Sequence, residues 1–169
     1  ATNVVILTHQ SPDGDAMGSA LAVMHYLHTL NKKAQVIVPN AFPDFLTWMP
    51  GAEEVLIYDA NPEQAIERLN NADLVICTDF NDPKRIGSLG DKLLTLSCKK
   101  MMIDHHLHPA SFPDLTITHP ATPSTCELVF RLINCLVTDS SQLSTDIATC
   151  IYTGMMTDTG NFSYNSNRP

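Results

Sequence analysis

Val4-Val5-Ile6-Leu7-Thr8-His9-Gln10-Ser11-Pro12-Asp13-Gly14-Asp15 is the stretch on which the fold turns. Its first four residues are all apolar and three are β-branched, so they form a strand with no polar face, buried on both sides. The chain then becomes abruptly polar. Residues 18–30 follow with Leu21, Ala22, Met24, Leu27 and Leu30 at helical spacing. Outward from this unit the alternation repeats. Apolar runs at 36–38, 55–57, 74–77, 101–103 and 115–117 predict further strands. Residues 62–69, with Pro62 near the start, Thr125–Leu136 and 145–156 predict helices, Ser144 standing as N-cap of the last and Gly160 beyond its end. Continuous apolar strands between helices imply an α/β domain: a mostly parallel sheet with helices on both faces, in three layers.

The 169 residues suit one domain. Charged residues make up 17% of the chain, against roughly 25% in ordinary globular domains. Such a surface suits covering by a partner or by another part of the same protein, and pairing into a homodimer is compatible with it. Net charge is −8, from ten basic and eighteen acidic side chains. No Lys/Arg run exceeds the pairs Lys32-Lys33 and Lys99-Lys100, so the stripe that tracks a long nucleic acid is missing. The five cysteines are widely spaced and form no C-x-x-C pair, which argues against a disulfide framework or a thiolate zinc site. No leader pattern precedes the first strand, and no apolar stretch nears the ~20 residues of a membrane span. A reducing cytoplasm is the expected location, with no membrane association.

Open α/β sheets bind ligands at the carboxyl ends of their strands, and the polar residues gather there. His9, Asp13 and Asp15 follow the first strand, Asp79 follows residues 74–77, and Asp104-His105-His106 follows residues 101–103. Asp13 and Asp15 crowd two carboxylates around Gly14, which is costly without a cation; the glycine is expected to give the sharp backbone course that turns them toward different ions. Asp79 comes after four apolar residues, where an uncompensated carboxylate is unfavourable. Asp158 lies near a helix C-terminus, against the dipole, another sign of a cation. Asp158-Thr159-Gly160 also matches the aspartic-protease triplet, but that fold needs paired all-β lobes.

Taken in order, His9, Pro12-Asp13-Gly14-Asp15-Ala16-Met17-Gly18-Ser19, Asp79, Asp104-His105-His106 and Thr157-Asp158-Thr159-Gly160 resemble the four motifs of the DHH phosphoesterases. That family includes RecJ-type exonucleases, family II pyrophosphatases, cyclic-dinucleotide phosphodiesterases and oligoribonucleases that dephosphorylate phosphoadenosine phosphate. The resemblance implies two divalent ions, manganese better than magnesium. His9 and Asp13 would hold one, Asp15, His105 and Asp158 the other, with Asp79 bridging. His106 would meet the substrate phosphate and serve as acid, oriented by Asp104. Arg85, in Asn81-Asp82-Pro83-Lys84-Arg85, and Ser124, in Pro123-Ser124-Thr125-Cys126-Glu127, are candidates for substrate contact, the latter stretch resembling the oligoribonuclease branch; both also read as ordinary helix-start residues. His25, His28, His108 and His119 match no motif. Trp48, Phe42 and Phe45 are read as core or interface in preference to a base-stacking platform.

Family members usually continue into a smaller glycine-rich substrate-binding domain, so residues 1–169 are expected to be the catalytic domain alone. The expected activity is two-metal hydrolysis of phosphoesters in short oligonucleotides or small nucleotides. One rival is a pyrophosphatase, which usually reads Asp-Thr-Asp-Ser where this chain has Asp13-Gly14-Asp15-Ala16. Others are a cyclic-dinucleotide phosphodiesterase and an inactive nucleotide sensor; sensors commonly lose ligands, and here all six positions hold competent ones.

Overall fold

In the computed structural model, which describes residues 1–139 and 143–164, six strands form one sheet: β1 (Asn3–Leu7), β2 (Lys33–Val38), β3 (Leu56–Ile57), β4 (Leu74–Thr78), β5 (Lys99–Asp104) and β6 (Leu115–Thr118). Their spatial order is β3-β2-β1-β4-β5-β6, and every pairing is parallel. Leu7 of β1 lies beside Ile37 on one flank and Cys77 on the other. The chain builds outward from β1 to β2 and β3, then returns to place β4 on the opposite side. The switch in direction therefore falls between β1 and β4, where open parallel sheets leave a crevice at their carboxyl ends.

Among the described residues five α-helices cover the sheet: α1 (Gly14–Thr29), α2 (Pro62–Asn70), α3 (Ser88–Thr95), α4 (Thr125–Leu136) and α5 (Thr145–Asp158). Alternation along β1 sorts them into two layers. Val4 and Ile6 pack with Met17 and Leu21 of α1, Val129 of α4 and Ile151 of α5. Val5 and Leu7 pack with Leu69 of α2 and Leu89 of α3 on the other face. The three-layer expectation holds.

Glycines bring α1 and α5 together. A Cβ on Gly14 would lie 2.4 Å from Thr157 Oγ1, and one on Gly154 would lie 2.2 Å from Cys126 Sγ and 3.0 Å from Asp15 Oδ1. Gly14 is thus already helical, and its lack of a side chain serves close packing in place of the sharp turn expected of it. The helix starts at Gly14, four residues before the periodicity suggests, because Asp13 caps it: Oδ1 accepts the N–H groups of Asp15 and Ala16, each at 3.0 Å.

Other departures have equally local causes. The eight residues of α3 were unexpected as a helix: they are short, contain Gly90, and bury only one stripe through Leu89 and Leu93. Trp48 and Phe45 are exposed, at 60% and 66%, so neither belongs to the core; Phe42 packs partly against it. The five cysteines are free thiols. Among the described residues no helix is long and apolar enough to cross a membrane.

Candidate metal centre

At the switch point β1 delivers His9 and β4 delivers Asp79. One strand further, β5 delivers Asp104, His105 and His106. Asp13 and Asp15 arrive at the start of α1, and Asp158 is the last residue of α5. Residues from five elements thus converge on one end of the sheet.

The imidazoles are aimed by their second nitrogens. His9 Nδ1 lies 2.7 Å from the carbonyl of Gln10. A carbonyl only accepts, so Nδ1 carries the hydrogen and Nε2 of the neutral ring keeps a free lone pair. His105 is fixed alike, with Nδ1 3.2 Å from the Thr122 carbonyl. Both free nitrogens face carboxylates. His9 Nε2 is 3.4 Å from Asp79 Oδ2 and 3.9 Å from Asp13 Oδ2. His105 Nε2 is 3.7 Å from Asp79 Oδ1, 4.0 Å from Asp15 Oδ2 and 3.5 Å from Asp158 Oδ2. Two ligand sets form, His9–Asp13–Asp79 and Asp15–His105–Asp158. Asp79 presents one oxygen to each.

His106 is arranged differently. Its Nδ1 lies 2.7 Å from Asp104 Oδ1, and its backbone N–H donates to Asp104 Oδ2 at 2.9 Å. Asp104 is fully buried, with both oxygens occupied by one residue. The hydrogen bond to Asp104 raises the imidazole pKa, although burial opposes it and the positive charge of Arg85 also lowers it. In the opposing direction, Nε2 is left for a ligand. His106 also lies close enough to complete a third set with Asp79 and His105.

Electrostatics calls for a cation. Asp15 is fully buried and Asp79 is 2% exposed. Burial, then the charges of Asp79 and Asp158, push the Asp15 carboxyl well above the usual carboxylate range, despite N–H donation from Cys126. Burial, then the charges of Asp79 and Asp13, raise Asp158 to about 6. His9 is raised too: burial alone would lower it, but the contact with Asp79 and the Gln10 carbonyl outweigh that cost. Separations of 3.4–4.0 Å exceed a hydrogen bond, yet atoms sharing one cation at ~2.1 Å lie roughly this far apart. The donor set, two neutral imidazoles and four carboxylates around a pocket of like charge, fits divalent metal ions.

The DHH family, N-terminal domain, matches residues 3–155. The chain belongs to the DHH family. It is 30% identical over 166 residues to the bifunctional oligoribonuclease and PAP phosphatase NrnA of Thermus thermophilus, covering 98% of this chain and 46% of that one. To the cyclic-di-AMP phosphodiesterase PdeA of Listeria monocytogenes it is 29% identical over 168 residues, covering 95% and 25%. A solved exopolyphosphatase-related protein from Bacteroides fragilis superimposes with a TM-score of 0.96 at 51% identity, covering 99% of this chain and 49% of that one. The chain thus spans about half the NrnA relative and a quarter of PdeA.

All six candidate ligands of this DHH domain stand together, with His106 and Asp104 beside them. Arg85 is half-buried on the 3-10 turn Pro83–Ile86. Its carbonyl accepts the Gln10 N–H at 2.8 Å, and its charge is felt at His106. Ser124 is fully buried and accepts the Glu127 N–H at 3.2 Å as N-cap of α4. Sequence reasoning passed over its neighbours. The N–H groups of Thr125 and Cys126 donate to the two oxygens of Asp15 at 2.6 and 2.8 Å. The Thr125 hydroxyl donates to Asp79 Oδ1 at 2.8 Å. In the sequence these residues read only as the first turn of a capped helix.

Proposed function

We propose that this domain hydrolyses phosphoesters in short oligonucleotides or small nucleotides, using two divalent ions, manganese best. The observation that carries the reading is the Asp104–His106 pair set beside two ligand sets, with Asp79 between them turning one oxygen toward His9 and the other toward His105. His9 and Asp13 would hold one ion, Asp15, His105 and Asp158 the other, and Asp79 both. When bound, such ions supply positive charge to a phosphate and make water a better nucleophile. The rest belongs to the side chains. Gln10 and Thr122 keep His9 and His105 in the tautomer that binds metal. Asp104 holds the His106 ring and favours its protonated form, so Nε2–H can donate to the oxygen of the departing alcohol.

The adjoining cavity, about 590 Å³, is lined by His105, His106, Asp158, Asn81, Leu107, Thr122 and two prolines. Its walls therefore carry no Lys or Arg, and one phosphate with a neutral nucleoside fits better than a chain of phosphates. NrnA and PdeA are named for different substrates, yet both names describe phosphoester cleavage in nucleotides of few units. The expected substrates have about two to five nucleotides, or are mononucleotides with an extra phosphate, because longer strands need further basic contacts. A length series from dinucleotide to ~20-mer with manganese at two salt concentrations, run beside pyrophosphate and a cyclic dinucleotide, tests this. Activity per end should fall or stay flat with length. Faster cleavage of the longest strand, lost steeply in high salt, would sink the small-substrate reading.

A further inference from the structure

Thr125 opens α4 and is fully buried. From this one turn three hydrogen bonds reach two carboxylates: two backbone N–H groups to Asp15, at 2.6 and 2.8 Å, and the Thr125 hydroxyl to Asp79 Oδ1, at 2.8 Å. The backbone bonds would survive most substitutions. The hydroxyl bond would not.

Asp79 needs that bond more than an ordinary carboxylate does. Its backbone is in the left-handed region at φ 63°, and its N–H is held by the Ile103 carbonyl at 3.0 Å. With the main chain fixed, the remaining freedom is rotation of the side chain. That rotation decides which oxygen faces which ligand set: Oδ2 lies 3.4 Å from His9 Nε2, and Oδ1 lies 3.7 Å from His105 Nε2. A donor on Oδ1 from a stiff, β-branched side chain holds the carboxylate plane across the two sets. It also leaves the second lone pair of Oδ1 for an ion.

We infer that Thr125 is a positioning residue whose hydroxyl orients Asp79 so that two metal ions bind as a pair; this rests on the two-ion reading above. The test titrates the metal-free chain with manganese by calorimetry and records its electron paramagnetic resonance spectrum. The wild type should take two ions and give a spin-coupled spectrum. Thr125→Val, which replaces the hydroxyl by a methyl group of similar size, should weaken the second ion by about 10–100-fold and give isolated-ion signals. Thr125→Ser should restore the coupled spectrum. Melting of the metal-free variants separates positioning from folding, because a purely structural role would lower the melting temperature and leave affinity unchanged. If Val prevents folding, Thr125→Ala is measured the same way.

A Val or Ala variant that binds two coupled ions like the wild type overturns the inference. So does a Ser variant that loses coupling as Val does, since the methyl would then be what matters. A wild type that binds no manganese sinks the two-ion reading itself, a result distinct from either of these.

Discussion

Asp79→Asn should abolish metal-dependent hydrolysis and strip both ions, whereas His106→Ala should keep both ions and lose about 10²–10⁴-fold in turnover. The contrast follows from which atoms each residue presents. Asp79 turns one oxygen toward His9 and the other toward His105, so it stands between the two ligand sets. His106 has Nδ1 committed to Asp104 and offers only Nε2 outward. Asparagine is the cleaner replacement at position 79, because φ is 63° there and alanine would add left-handed strain of about 1–2 kcal/mol. Metal analysis of the purified variants, alongside turnover, reads both results. If His106→Ala loses metal as fully as Asp79→Asn, His106 is a ligand and the acid role assigned to it is wrong.

Manganese should raise the melting temperature far more at pH 7.5 than at pH 5. Burial and neighbouring carboxylates hold Asp158 at about 6 in the metal-free fold, against an unfolded value of about 3.9. Between those values the folded chain binds more protons than the unfolded one. The contribution of Asp158 to the stability of the metal-free protein therefore falls as pH rises through that window. Asp15, also raised, acts in the same direction. Metal reverses the penalty, because it takes the place of the proton on deprotonated ligands. At 100 times the dissociation constant one ion contributes about 2.7 kcal/mol, or roughly 5–10 °C for a chain of this size. At pH 5 proton competition should remove most of that gain. Equal gains at the two pH values would contradict the electrostatic account of the site.

The six candidate ligands were legible in the sequence because each follows a strand or ends a helix whose apolar pattern is plain. Val4 to Leu7 and Val75 to Cys77 are buried on both faces, so the polar residues just after them must emerge at the sheet edge. What was illegible depends on contacts between distant segments. Gly14 looks like a turn glycine until Thr157 of α5 is brought against it. Thr125 looks like a capped-helix residue until α4 is docked with its N-terminus on Asp15 and Asp79, residues 110 and 46 positions away. The left-handed backbone of Asp79 leaves no mark on local composition, since aspartate is common in many other turns. Helix α3 was hidden by its brevity, because eight residues with an interior glycine carry too little periodicity to stand out.

The central claim is that two cations share Asp79. Crystals of the chain grown with manganese, measured on both sides of the manganese absorption edge, test it most directly. The account predicts two anomalous peaks, one among His9, Asp13 and Asp79 and one among Asp15, Asp79, His105 and Asp158, with no peak on His106 Nε2. A single peak, or two peaks that do not both touch Asp79, would contradict it.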